Sequence, residues 1–263
     1  MTNITQHYWV HDFDAVALQL GPLPLRWYGI MYIAGFAAAY WLLLRRQRTG
    51  LLMLPSRQAV QDMLFYCFCG VLAGGRLGHC LFYEFPHFVR APWEILMVWK
   101  GGMSSHGGFA GVMIALALFA RAYRLSFLHL LDNAVIAAAP GLFFGRLGNF
   151  INAELCGRVT RVPWAVIFPA VDYLPRHPVQ IYQALAEGAL TFALLMLLGC
   201  RPRPLGFLSG VFACVYAAGR LVTEPFREPA PVLAGPFGLG LTQGQFLSLF
   251  VLIIGVGLLV NCM

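Results

Sequence analysis

Long apolar runs constrain this chain more than any motif does. The first, residues 27–44, has 18 consecutive residues without a charge, enough to cross a hydrocarbon core of about 30 Å as a helix. Six further runs, 63–83, 103–120, 127–144, 179–199, 205–223 and 243–260, are bounded by arginine, proline and glycine and predict six more spans. With 59% hydrophobic and 11% charged residues, 263 residues carry too few charges to cover a water-soluble globule. The expected fold class is therefore an all-α integral membrane protein of seven transmembrane helices, one membrane domain over residues 1–263. No basic segment opens the chain and arginines follow the first run instead, so that run is expected to be retained rather than cleaved.

Basic residues in short loops set orientation. Segments 45–62, 121–126 and 200–204 hold eight in 29 positions, whereas 85–102, 148–178 and 224–242 hold six in 68. The denser set belongs in the cytoplasm, which places the N-terminus in the periplasm and the C-terminus in the cytoplasm. Residues 150–177, with Pro163, Pro169 and Pro175, are then a small periplasmic cap between spans 4 and 5. Residues 1–24, with Phe13, Val16, Leu18 and Leu20, are expected to be a periplasmic amphipathic arm.

Gly-Arg-Leu occurs three times, inside the runs 63–83 and 205–223 and directly after 127–144: Gly75-Arg76-Leu77, Gly145-Arg146-Leu147 and Gly219-Arg220-Leu221. An arginine at the centre of a span costs roughly 2.5–3.5 kcal/mol on insertion scales, so three of them need a reason. Spans 2, 4 and 6 run in the same direction, which puts all three near the outer leaflet. Other polar residues follow them: Tyr28 opens span 1, Ser104, Ser105 and His106 open span 3, His177, Gln180 and Tyr182 open span 5, and Asn149, Asn152 and Glu154 follow span 4. Helical spacing groups Arg76, His79 and Tyr83, then Arg146 with Asn149, then Tyr216, Arg220, Glu224 and Arg227. Each stripe alone is equally an ion-paired fastening of a bundle. Together they describe an anion site, for which guanidinium suits phosphate or carboxylate, and at that depth the natural anion is a phospholipid headgroup.

Several classes are excluded. The seven cysteines lie mostly in the runs and give no disulfide framework. A retinal protein needs a lysine in a late span, and Lys100 is the sole lysine. No metal site and no cofactor are expected. The formal net charge of +7 comes from loop arginines and the anion site, with no sign of a nucleic-acid partner. An anionic-lipid or small-anion transporter remains the alternative, although it would require a second polar cluster at the inner ends, where the sequence offers little beyond His129 and Asp132.

The stretch from Gly145 to Arg158, Gly-Arg-Leu-Gly-Asn-Phe-Ile-Asn-Ala-Glu-Leu-Cys-Gly-Arg, closely resembles the most characteristic motif of the bacterial prolipoprotein diacylglyceryl transferases. The likeness extends to residues 101–108, Gly-Gly-Met-Ser-Ser-His-Gly-Gly, to His177-Pro178, and to Arg220 with Glu224 and Arg227. It covers essentially the whole chain in order. Two departures stand out: Ala153 where the family commonly has glycine, and Cys156 where it has a bulky aromatic.

The resemblance implies a bacterial inner-membrane enzyme with its active site toward the periplasm. Such enzymes transfer the diacylglyceryl group of phosphatidylglycerol to the lipobox cysteine of a prolipoprotein and release glycerol phosphate. It also implies importance for Tyr28, His106, Arg146, Asn149 and Arg220, while Gly157 is expected to let backbone approach the lipid closely or to serve ordinary helix packing. Preorganised cations aimed at the departing phosphate should dominate such a reaction. Arg146 and Arg220 are the first candidates, Asn149 an uncharged donor beside them and Arg76 a weaker one. Tyr216, Glu224 and Arg227 complete the expected binding set. The substrate thiol, with an ordinary pKa of about 8.5, needs a base or a positive field. His106 fits by intrinsic pKa, Glu154 and Glu224 are rivals, and the arginine field alone is a third possibility.

Overall fold

The computed structural model describes residues 8–228 and 241–263. It is predominantly helical, with two short sheets. The main helices are α1 (Trp27–Arg48), α2 (Arg57–Phe82), α3 (Phe85–Arg90), α4 (Ser105–Tyr123), α5 (Phe127–Ile151), α6 (Val179–Gln183), α7 (Thr191–Leu198), α8 (Phe207–Thr223) and α9 (Gln243–Val260). Among the described residues, six stretches are long and apolar enough to span a membrane: Trp27–Arg48, Arg57–Phe82, His106–Tyr123, Phe127–Ile151, Val179–Leu198 and Phe207–Phe226. A further apolar helix, Gly244–Val260, is shorter.

Most helices outrun the apolar runs that announce them. α5 continues to Ile151, so Arg146 and Asn149 lie within it rather than beyond it. Once a charged side chain finds a buried partner, the helical backbone has no reason to stop at it. The run 179–199 is not one regular helix either: α6 passes through a π-helical turn at Ala184–Leu190 into α7. α8 does end before Pro225, and Glu224–Phe226 form a 3₁₀ turn.

The chain forms two compact units, Met1–Leu42 with Ala134–Met263, and Leu43–Asn133. In the second unit α2 packs on α4 through glycines at 70, 74 and 78 facing 107 and 111. A Cβ at Gly74 would fall onto the Gly107 carbonyl, and one at Gly111 onto that of Gly70. Small residues at this spacing let two membrane helices meet backbone to backbone. At the far end of the pair, Tyr123 donates to Asp62 at 2.5 Å. Arg46, Asp132 and Asn133 are also buried, with Arg46 Nε donating to Asn133 Oδ1 at 2.6 Å. The helix ends that the sequence made sparse therefore hold a paired polar cluster, which ties the end of α1 to the start of α5.

In the first unit the expected amphipathic arm is largely extended chain, and its residues 1–7 lie outside the described residues. β2 (Val16–Leu20) and β3 (Leu23–Arg26) form an antiparallel hairpin that pairs Leu20 with Leu23. Gly21 at φ +58° supplies the left-handed residue that so tight a turn requires. β1 (Trp9–Val10) runs parallel to β4 (Val166–Ile167), which pairs with β5 (Pro175–Arg176). Ala153, Cys156, Val166 and Phe168 pack beneath this sheet with Phe150. Trp9 stacks on Phe150 at 5.9 Å, so the arm is fastened to the 150–177 segment by aromatic contact.

Candidate active site

The polar core of the first unit is built around a residue that sequence reasoning passed over, Glu187. It sits on the π-helical turn with no exposed surface. Its Oε2 accepts from Arg146 Nη2 at 2.8 Å and Nε at 3.3 Å. Its Oε1 accepts from the Thr223 hydroxyl at 3.5 Å and lies 3.9 Å from Arg220 Nη1. One buried carboxylate thus bridges arginines from α5 and α8. The backbone makes room for it: Gly188 rests against Phe143, where any Cβ would collide, and Gly219 meets Ala186.

Arg220 is paired on its other side, with Nη2 2.9 Å from Glu224 Oε2, one helical turn along. Glu224 also accepts from the Thr242 hydroxyl at 2.7 Å and lies 3.9 Å from Arg227 Nη1. Three guanidinium groups therefore face two buried carboxylates, and the formal balance leaves one positive charge. Arg220 Nη1 is buried and has no hydrogen-bond partner among the described residues. A buried guanidinium donor left empty is costly, so this atom marks where an anionic oxygen would be held.

A second polar group adjoins the end of α5. Glu154 accepts from Asn149 Nδ2 at 3.2 Å and Asn152 Nδ2 at 3.3 Å, and its carbonyl accepts from Gln180 Nε2 at 2.7 Å. The chain turns back here because Ala153 and Leu155 both adopt φ +55°. A left-handed conformation costs an ordinary L-residue roughly 1–2 kcal/mol, which explains why glycine would be the commoner choice at 153. The Tyr28 ring covers Gly148, where a Cβ would meet it at 2.9 Å, and its hydroxyl faces Asn149 and Tyr32. Tyr216, one turn before Arg220, stacks on Phe212 and feels the charges of Glu187, Arg146, Arg220 and Arg227.

Gly157 has a packing reason for lacking a side chain: a Cβ there would meet the carbonyls of His177 and Phe226 at 2.5 and 2.7 Å. It forms a β-bridge to Arg227, joining the 150–177 segment to the end of α8. Arg176 clamps this segment, donating to Asp172, to the Gly157 carbonyl and to Glu228. Hydrogen bonds from Arg176 hold the Asp172 carboxyl below its ordinary pKa. Cys156 is buried and its thiol is pushed up by desolvation, the opposite of a reactive thiolate.

Arg76 and His106 belong to the second unit. Arg76 is buried, and each of its nitrogens donates to main-chain carbonyls: Nε to Ile95 at 2.9 Å, Nη2 to Glu94, and Nη1 to Gly101 and Gly102. Gly101 and Gly102 present those carbonyls at φ +83° and +78°, which only glycine adopts without strain. His106 stands exposed at the start of α4, whose N-terminus Ser104 caps by accepting from the Gly107 amide. The structure thus joins Arg146, Arg220, Glu224 and Arg227 through Glu187 and Glu224, and groups Asn149 with Glu154.

Glu187 had a legible signal, as the single charge within the run 179–199, and an ionisable residue inside a span is a functional candidate by default. Thr223 and Thr242 had none.

Comparison with known proteins follows the same residues. The family model described as prolipoprotein diacylglyceryl transferase matches residues 15–261. A phosphatidylglycerol–prolipoprotein diacylglyceryl transferase of Nitrosomonas europaea is 48% identical over 251 residues, 94% of this chain and 89% of that protein. One of Nitrosospira multiformis is 48% identical, covering 95% and 86%. One of Pseudoalteromonas atlantica is 44% identical, covering 98% and 92%.

Proposed function

Because the chain belongs to the prolipoprotein diacylglyceryl transferase family, we propose that it moves the diacylglyceryl group of phosphatidylglycerol onto the lipobox cysteine of a prolipoprotein. The sulfur attacks the saturated glycerol carbon that bears the phosphate. A C–S bond forms as the C–O bond breaks, and glycerol phosphate departs with the bonding pair. The thiol proton passes to a base. Charge therefore accumulates on the departing phosphate, and fixed donors aimed there lower the barrier most.

The observation that carries this reading is the empty, buried Nη1 of Arg220 beside a cluster with one uncompensated positive charge. Arg220 takes the phosphate oxygen. Arg146, fixed by Glu187, supplies the second cation, and Asn149 an uncharged donor. Glu224 holds Arg220, Arg227 beside Glu224 adds a third cation to the binding set, and Tyr28 and Tyr216 line the approach. Glu154 orients Asn149 and Asn152. His106 is the base we assign on intrinsic pKa. Seven spans, with α9 as the last, and a site opening to the periplasm complete the reading, supported by the basic residues of the opposite loops and by the need to meet an exported peptide.

The test is direct. Purified protein is incubated with phosphatidylglycerol vesicles and a lipobox peptide, and mass spectrometry follows the peptide and the released headgroup. A diacylglyceryl thioether and glycerol phosphate in equal amounts are expected. Release of glycerol phosphate without adduct, or lipid binding without either product, would overturn the assignment.

A further inference from the structure

Buried polar atoms in folded proteins nearly always find a hydrogen-bond partner, so a cluster of exceptions marks a place built for something else. Among the described residues six buried side-chain atoms lack one: His11 Nε2, Asn152 Oδ1, Gln180 Oε1, Gln183 Nε2, Arg220 Nη1 and Glu224 Oε2. Five of these six fall on the arginine cluster, on the segment that turns back at Glu154, or on the helix that supplies Glu187. Glu224 Oε2 has the Arg220 charge at 2.9 Å, and Arg220 Nη1 is assigned above to phosphate. Two amide atoms on α6 and one on Asn152 remain unexplained.

Gln180 and Gln183 are each only 1% exposed, on the short helix that leads into the turn carrying the buried Glu187. Gln180 and Gln183, three residues apart on α6, share one helix face, and Glu187 follows Gln183 by four residues on the π turn. Both ends of that row are anchored in the site, since Gln180 Nε2 donates to the Glu154 carbonyl and Glu187 grips Arg146. Gln183 therefore lies between two fixed points of the same polar core. The unfilled atoms are acceptors on Gln180 and Asn152 and a donor on Gln183. Hydroxyl groups match that set, because each O–H both donates and accepts. An ammonium headgroup, with donors only, would leave the Gln183 amide unpaired, and an alkyl headgroup would leave all three unpaired.

We propose that Gln180 and Gln183 are specificity-determining residues that bind the hydroxyls of the lipid headgroup whose phosphate Arg220 holds. The proposal rests on the lipid reaction proposed above and adds to it a reason for choosing a glycerol headgroup. Asn152 closes the hydroxyl subsite from the end of α5. A site that hydrogen-bonds a substrate hydroxyl rejects an analogue lacking it, because its own buried groups are then stranded.

The experiment compares phosphatidylglycerol with phosphatidylpropanol, which keeps the phosphodiester and both acyl chains but has no headgroup hydroxyl. Adduct formation on a lipobox peptide is measured with each lipid. For the unaltered protein kcat/KM should favour phosphatidylglycerol by roughly 10- to 100-fold. In Gln183→Met that preference should collapse to within about threefold. It should collapse by loss of phosphatidylglycerol turnover, with phosphatidylpropanol turnover retained as an internal control of folding. If Gln183→Met does not accumulate, Gln183→Asn keeps an amide one methylene short and should give an intermediate preference. An undiminished preference in these variants, as expected if buried water fills the three atoms, overturns the proposal. So does an equal loss with both lipids, or equal use of both lipids by the unaltered protein. Turnover of neither lipid by the unaltered protein would instead strike the proposed reaction itself.

Discussion

Arg76 and Arg220 are both buried arginines in a Gly-Arg-Leu tripeptide on an apolar helix, yet their surroundings differ in kind. Every nitrogen of Arg76 is spent on carbonyls of the 94–102 segment, two of them presented by glycines in the left-handed region. Arg220 has carboxylates on two sides and one nitrogen with no hydrogen-bond partner among the described residues. A guanidinium whose every nitrogen already donates to main chain fastens a loop to a helix, with four of its five N–H groups engaged. One held by carboxylates yet left a donor short is positioned for an anion. The tripeptide does not distinguish the two situations; the count of donors against acceptors does.

The sharpest way to break this contrast is to change Arg220. Arg220→Lys keeps the charge but loses the fork, and turnover should fall by about 10²- to 10³-fold, the usual cost of removing one transition-state donor, with the protein still folded and inserted. Turnover within a few-fold of the unaltered protein would mean that the empty donor is not where phosphate leaves. His106→Gln asks whether the second unit contributes chemistry as well as structure. Loss of a general base typically costs about 10²- to 10⁴-fold at neutral pH. Recovery is expected as pH rises toward the thiol pKa of about 8.5, because hydroxide then supplies the thiolate. A loss that ignores pH would remove His106 from the proton path.

Arg76→Met should behave in the opposite way to Arg220→Lys. The carbonyls it serves lose a charged donor each, and stability should drop by roughly 2–3 kcal/mol, read as a lower Tm in detergent, while kcat per folded molecule changes little. A folded Arg76→Met protein without activity would place this arginine with the other. The smallest effect is expected at Ala153. Ala153→Gly relieves the φ +55° conformation and should add about 1 kcal/mol, with turnover unaltered. A destabilised variant would mean that the Ala153 methyl, packed with Cys156, Val166 and Phe168, outweighs the strain.

The apolar helices are legible in the sequence because length and apolarity alone decide them: the run 243–260 coincides with α9, and 179–199 ends within one residue of α7. The ends differ where a charge closes the apolar run but not the helix. Arg45, Arg46 and Arg48 form the last turn of α1, and Arg146 lies inside α5, because helices continue past charges that find partners or water. The pairing of Glu224 with Arg220 follows from i, i+4 spacing alone. The link from Glu187 to Arg146 does not, since the two are 41 residues apart and meet through a π turn that no periodicity announces. The carbonyl cage of Arg76 was equally hidden, because backbone acceptors have no signature in a list of side chains.

The π turn has a consequence for how this helix tolerates change. Between Gln183 and Thr191 the helix is wound as a π turn, wider than regular α winding, and the number of residues in that turn sets the phase of the half that follows. Deleting one residue there would restore a regular ladder, yet swing one half against the other by about 100°. Either the glutamine row or the apolar face ending at Leu195 would then point away from its partners. The number of residues between Gln183 and Thr191 is therefore as tightly constrained as the identity of Glu187, which grips Arg146, and of Gly188, which has no room for a side chain.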